Sequence, residues 1–175
     1  VAVSARHAHL TQQSIDQLFG AGYVLHPQVP LHQPGQFASQ ETVTLVGPKG
    51  RLEGVRLIGP PRAHDQIEVS RSDEFTLGVD APVRLSGDLR DSPGIVIEGP
   101  RGRVQLSSGV ICARRHVHLN SAEAARLGVA DGDRVSVRVP RGDRSLVFED
   151  VHLRVAGDFA LELHLDTDEA NAAGV

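Results

Sequence analysis

Methionine and tryptophan are absent from this 175-residue chain, and tyrosine and cysteine occur once each. The lone Cys112 rules out an intrachain disulfide framework and fits a reducing compartment. No apolar run approaches the ~20 residues that cross a bilayer, and none has the form of a signal-peptide core, so no membrane role is expected. Basic residues number 18 against 22 acidic ones, for a net charge of −4 with no basic run, which argues against nucleic acid as a partner. Apolar residues at 40% and charged residues at 23% exclude a disordered composition. The length suits one domain or two small ones with a real core. With Val1 first and no methionine anywhere, the native start is expected to lie further upstream.

What the chain does have is nine histidines, and a repeat places four of them. Ser4-Ala-Arg-His7-Ala-His9-Leu-Thr11 returns as Ala113-Arg-Arg-His116-Val-His118-Leu-Asn120. Thr11 and Asn120 are good helix N-caps, and Glu123 completes a capping box with Asn120. Short helices are therefore expected over 12–19 and 121–127, ending at Gly20 and Gly128. Downstream, Glu41 to Gly50 parallels Asp133 to Gly142, each an alternating strand ending in a Pro-basic-Gly turn. Most of the remainder reads as short strands: 55–58, 66–70, 95–97, 104–106, 146–148, 151–155 and 160–165. Many short strands at this spacing indicate barrels or sandwiches rather than a parallel βαβ sheet. Leu25 to Gly35, with three prolines, reads as a long loop.

In an extended segment residues i and i+2 point the same way, so His7 and His9 can reach one ion, as can His116 and His118. Neutral imidazole is a favoured ligand for zinc and related ions. A single HxH arises easily by chance, but a duplicated one has no evident packing reason to persist. Two pairs could hold two ions, or one ion between the halves. His164 alternates with Leu163 and Leu165 just ahead of a capped helix start at Asp166, where an exposed polar face is the plain alternative. Glu68 alternates with Ile67 and Val69, which reads as a solvated carboxylate. Arg62 follows the rigid Gly59-Pro-Pro turn and has the planar fork that suits phosphate, with a structural salt bridge an equal rival. Cys112 reads as a small buried residue, since Val3 stands at the matching place. His26, His32, His64 and His152 have no paired partner and read as loop or surface residues.

Together, Ser4-Ala-Arg-His-Ala-His-Leu, Gly47-Pro-Lys-Gly, Gly59-Pro-Pro-Arg62, Gln66-Ile-Glu68-Val-Ser70, Arg84-Leu-Ser86-Gly-Asp88, Arg114-Arg-His-Val-His-Leu and His164-Leu-Asp-Thr-Asp-Glu-Ala-Asn171 resemble the PduL-type phosphate acyltransferases. These are the phosphotransacylases, or phosphate propanoyltransferases, associated with bacterial microcompartments. The resemblance runs nearly end to end. Departures are Pro61 in place of an aliphatic residue, Leu85 in place of Glu, and a shortish N-terminus.

The resemblance implies a mainly β fold of two β-barrel domains from an internal duplication, capped by short α-helices. These are 5–112 and 113–175, the latter with 1–4, and the active site lies between them. It implies two divalent ions, usually zinc: one on His7, His9 and Glu68, the other on His116, His118 and His164. Arg62, Ser86 and Arg154 fall at phosphate contacts, and Arg56, Asn171 and Ser4 near the coenzyme A thioester. The implied partners are acyl-CoA and inorganic phosphate, a second copy in a homodimer, and microcompartment shell or core enzymes, in the cytoplasm or the microcompartment lumen. A cupin-like single-metal oxygenase or isomerase and a non-catalytic metal-stapled module are the rival readings. An HxH amidohydrolase is disfavoured, because it needs a barrel of about 250 residues with alternating strands and helices.

Overall fold

Period-two burial builds most of the chain. In the long strand Phe37–Val46 the buried residues are Ser39, Glu41, Val43 and Leu45, every second position, as a sheet with one face on a core requires. The computed structural model describes residues 1–175 and is mainly β, with 40% of residues in strands and 18% in helices. In chain order the elements are β1 Ala2–Ser4, β2 His7–His9, α1 Gln12–Phe19, β3 Pro27–Pro30, β4 Phe37–Val46, β5 Arg51–Gly59, β6 Gln66–Val69, α2 Arg71–Leu77, β7 Val83–Arg84, β8 Val96–Glu98 and β9 Arg103–Gln105. There follow β10 Val110–Ala113, β11 His116–Leu119, α3 Ser121–Leu127, β12 Arg134–Val139, β13 Leu146–Val155, β14 Glu162–Asp166 and α4 Thr167–Ala173.

The chain forms two compact units. One comprises Arg6–Leu31 and Gly35–Ala113; the other comprises Val1–Ala5, His32–Pro34 and Arg114–Val175. The sheet of the first runs β7-β10-β6-β2-β5-β4-β8-β9, with β3 on β4, and that of the second runs β1-β14-β11-β13-β12. These are open series with free ends. Five consecutive strands of the larger sheet, β10-β6-β2-β5-β4, repeat the order of the smaller one. The directions match as well. The HxH strand lies between an antiparallel neighbour, β6 or β14, and a parallel one, β5 or β13.

Leu45, Val55, Leu57, Ile67, Ile97 and Val110 pack with Ile15 and Leu18 of α1 to form the core of the larger unit. Val139, Phe148, Val151, Leu163, Leu165 and Ala170 form that of the smaller. β6, an interior strand between β2 and β10, is buried at all four positions. Three helices stop at a glycine in the left-handed region, Gly78, Gly128 and Gly174, where φ of 66–75° favours a residue without Cβ.

Both expected helices have the bounds read from the sequence. Three expectations are corrected. Strand 66–70 stops at Val69, because Ser70 caps α2 in a capping box with Asp73, and that helix escaped the sequence reading. The loop expected over 25–35 contains β3, an exposed strand whose prolines are tolerated because only β4 pairs with it. The two strands expected over 146–148 and 151–155 are one, β13, which carries Asp150 at a φ of 54°. Ile67 is fully buried, so Ile67→Ala is expected to cost about 2–5 kcal/mol. A urea midpoint unchanged from the parent would contradict this placement of the core.

Candidate functional site

The register of β2 against β6 sets His7 directly opposite Glu68, and period two brings His9 to the same face. His7 Nε2 lies 3.2 Å from His9 Nε2 and 3.5 Å from Glu68 Oε2, and His9 Nε2 lies 3.9 Å from Glu68 Oε1. Donors about 2.0–2.2 Å from a tetrahedral ion stand about 3.3–3.6 Å apart, so these separations fit a divalent cation of zinc's size. His9 is 3% exposed and Glu68 8%, which corrects the reading of Glu68 as a solvated carboxylate. Burial, then His7 and Arg62, lower the pKa of His9 from 6.5 to about 3, so the ring is neutral and its lone pair is available.

The second copy repeats the construction. His116 of β11 faces His164 of β14, and His118 shares that face. Their ligand atoms also converge within 4.8 Å, as do those of the first group. His118 Nδ1 and His164 Nε2 are 3.1 Å apart, and the His116 and His164 rings stack at 4.8 Å. His116 Nδ1 lies 2.8 Å from the Arg114 carbonyl and donates to it, which fixes the tautomer and turns Nε2 toward the cluster. The chain thus presents two triads, whereas a cupin-like site needs one.

The remaining expected residues fall around these triads. In the larger unit Arg62 Nη1 lies 3.4 Å from Ser86 Oγ, and the Arg62 N–H donates to the Leu10 carbonyl at 2.9 Å, anchoring it beside the end of β2. Arg56 stands opposite His7 and donates to the Ser39 and Gln40 carbonyls. In the smaller unit Ser4 Oγ lies 3.5 Å from His164 Nδ1. Arg154 stands opposite His118, its guanidinium 5.8 Å from the centre of the Phe159 ring. Asn171 lies exposed on α4, and its carbonyl accepts from Arg144.

Four residues that the sequence reading passed over touch these groups or lie beside them. Phe159 packs 4.3 Å from the His118 ring, and His152, taken as a surface residue, lies on β13 opposite His116. Gln66 and Glu162 each sit two residues ahead of a third ligand. Gln66 bonds Glu68 at 2.6 Å, and Glu162 Oε2 approaches His164 Nε2 at 3.1 Å. The alternation that picked out Glu68 and His164 places these two on the same faces, so the signal was present. Of the other histidines left as loop residues, His26 bonds the buried Glu41 at 2.7 Å, and His32 faces Glu162 at 3.4 Å. Cys112 is buried, as expected.

The profile of the phosphate propanoyltransferase family matches residues 1–175. A phosphate propanoyltransferase of Thermotoga maritima is 56% identical over 99% of this chain and 82% of its own length. Those of Salmonella typhimurium and Shewanella putrefaciens are 50% and 47% identical, over 99% and 100% of this chain and 82% of each relative. The chain belongs to this family. It is therefore an acyltransferase.

Because His9 stays neutral when folded, the unfolded chain alone takes up its proton between pH 6.5 and about 3. Stability of the metal-free chain is therefore expected to fall as pH drops through that window, by up to about 1.4 kcal/mol per pH unit for one proton. Urea unfolding at pH 7 and pH 5 checks it. His9→Gln should lose this part of the acid sensitivity, and an unchanged slope would contradict the neutral ring.

Proposed function

We propose that the chain transfers an acyl group reversibly between coenzyme A and phosphate: acyl-CoA plus inorganic phosphate gives acyl phosphate plus free CoA. Propanoyl-CoA or acetyl-CoA is the acyl donor. The observation that carries this reading is the pair of buried triads in a chain whose relatives are named phosphate propanoyltransferases. In this reading each triad holds one divalent ion, most suitably zinc given its imidazole and carboxylate donors. Two such cations, when bound, supply charge that draws phosphate toward a polyanionic thioester and offsets the negative charge developing on the carbonyl oxygen.

The chain's own groups do the rest. The Arg62 fork and the Ser86 hydroxyl hold phosphate, and Arg154 supplies a second guanidinium to it. Held there, one phosphate oxygen attacks the thioester carbonyl carbon. The tetrahedral adduct re-forms its C=O bond by expelling the CoA thiolate, which leaves without a strong general acid; the proton given up by the attacking hydrogen phosphate passes through solvent to the thiolate. Arg56, Asn171 and Ser4 act as the coenzyme A contacts. Transfer is direct. Cys112 is 4% exposed and is out of reach of an acyl group, and the one imidazole beside Ser4, that of His164, serves in this reading as a metal ligand rather than as a base.

In the same reading the two copies are β-barrel domains, 5–112 and 113–175 with 1–4, each carrying one triad. A homodimer working in a microcompartment lumen, beside shell or core enzymes, rests on the resemblance alone. No helix is long and apolar enough to cross a membrane.

Phosphate-dependent release of CoA from propanoyl-CoA and acetyl-CoA, followed with a thiol reagent before and after chelation, tests the reading. Chelation should abolish turnover, and added zinc should restore it. His118→Ala should lose bound metal and turnover together, and activity at the parental rate would remove His118 from the ligand set. A burst of CoA without phosphate would refute direct transfer.

A further inference from the structure

Gln66 is 3% exposed, and its side-chain amide uses every hydrogen-bonding group it has. Nε2 donates to Glu68 Oε1 at 2.6 Å and to Ser86 Oγ at 2.8 Å, while Oε1 accepts from the Gly87 N–H at 2.8 Å. Turning the amide over would set its oxygen against a carboxylate and present two N–H groups to the Gly87 donor. The surroundings therefore admit one orientation. Ser86 Oγ in turn accepts from Gln66 and from Arg62, so the Ser86 proton is the part of that hydroxyl left to donate to an anion.

We propose that Gln66 is a positioning residue that couples the carboxylate ligand Glu68 to the Ser86–Gly87 loop, so that the metal triad and the phosphate contacts are set by one amide. This rests on the acyl-transfer reading above. Through its bond to Oε1, Gln66 fixes the rotation of the Glu68 carboxylate and leaves Oε2 facing His7 at 3.5 Å. Through Ser86 and Gly87 it fixes where the loop hydroxyl stands relative to the Arg62 guanidinium. The corresponding position in the other copy is Glu162, which also contacts its third ligand and is itself held by Gln33 Nε2 at 3.1 Å. A contact that recurs at the same place in both copies, with different chemistry, is not incidental packing. The third ligand Glu68 is anionic and has an amide donor beside it; the third ligand His164 is an imidazole and has a carboxylate beside it.

The test uses the zinc-loaded enzyme and Gln66→Leu, which keeps the volume and removes all three bonds. Residues that orient metal ligands typically contribute 10–100-fold. The KM for phosphate should therefore rise by roughly 10- to 100-fold while the KM for acyl-CoA changes less than about two-fold. Competition with a chelating dye should show one zinc equivalent weakened by a similar factor and the other unchanged. Gln66→Glu keeps the acceptor for Gly87 but loses both donors. It should show the same two losses, and it serves if leucine is not tolerated. Parental phosphate KM and zinc affinity in either folded variant overturns the proposal. So does an equal loss of both zinc equivalents, which would make Gln66 a packing residue. Failure of the parent enzyme to release CoA with phosphate would strike the acyl-transfer reading instead, and the zinc titration would still decide whether Gln66 holds Glu68.

Discussion

Everything at the two triads depends on strand register. His7 meets Glu68, and His116 meets His164, because β2 and β11 are paired with their antiparallel neighbours in one particular alignment. A slip of one residue would turn Glu68 and His164 to the opposite face. What prevents the slip is on the reverse side of the same strands. Ala8 is paired with Ile67, and Val117 with Leu163, and these side chains belong to the two cores. Ligand geometry and core packing are therefore one constraint. The capping boxes at Ser70 and Asp166 start a helix directly after each third-ligand strand, which also fixes where that strand ends.

The electrostatics of the triads point the same way as their spacing. Rings and carboxylates brought this close and this far from water lose hydration, and they do not fully repay one another, because two lone pairs facing each other share at most one proton. A divalent cation is the kind of group that such converging nitrogen and oxygen atoms suit. The two triads differ in composition, with a carboxylate in one and three imidazoles in the other. Glu162 places a carboxylate next to the all-histidine set, so each unit keeps one acidic group within reach of its cluster. Both units thus combine imidazole and carboxylate and differ in which strand position carries the acid.

Much of this was legible in the sequence, and what was missed has physical reasons. The repeated Arg-His-x-His-Leu is local, and Thr11, Gly20, Asn120 and Gly128 announce two helices by capping chemistry that a short window contains. Helix α2 was missed because its N-cap, Ser70, continues the alternation of β6 and was counted as strand. Strand β3 was missed because Pro27 and Pro30 lower strand propensity, while an edge position removes the penalty. Burial of Glu68 and the partners of Gln66 and His152 were not legible, since each depends on pairing between segments far apart in the chain. Alternation says which face a residue takes; it does not say what covers that face.

The strand pairings show that the two sequence repeats are not simply two successive folding units. β1 precedes the first HxH strand but pairs in parallel with β14, and β10 precedes the second HxH strand but pairs in parallel with β6. Each sheet thus takes the strand just ahead of one HxH segment and adds it to the third-ligand strand of the other copy. Ser4 and His164, whose side chains approach to 3.5 Å, are separated by 160 residues. Cutting the chain before Arg114 would remove β14 from β1 and leave the C-terminal piece without its edge strand. Two of the four passages between the units fall between Ala5 and Arg6 and between Ala113 and Arg114, just ahead of His7 and His116. Along the chain, His7 and His116 each follow shortly after a strand that belongs to the other unit's sheet.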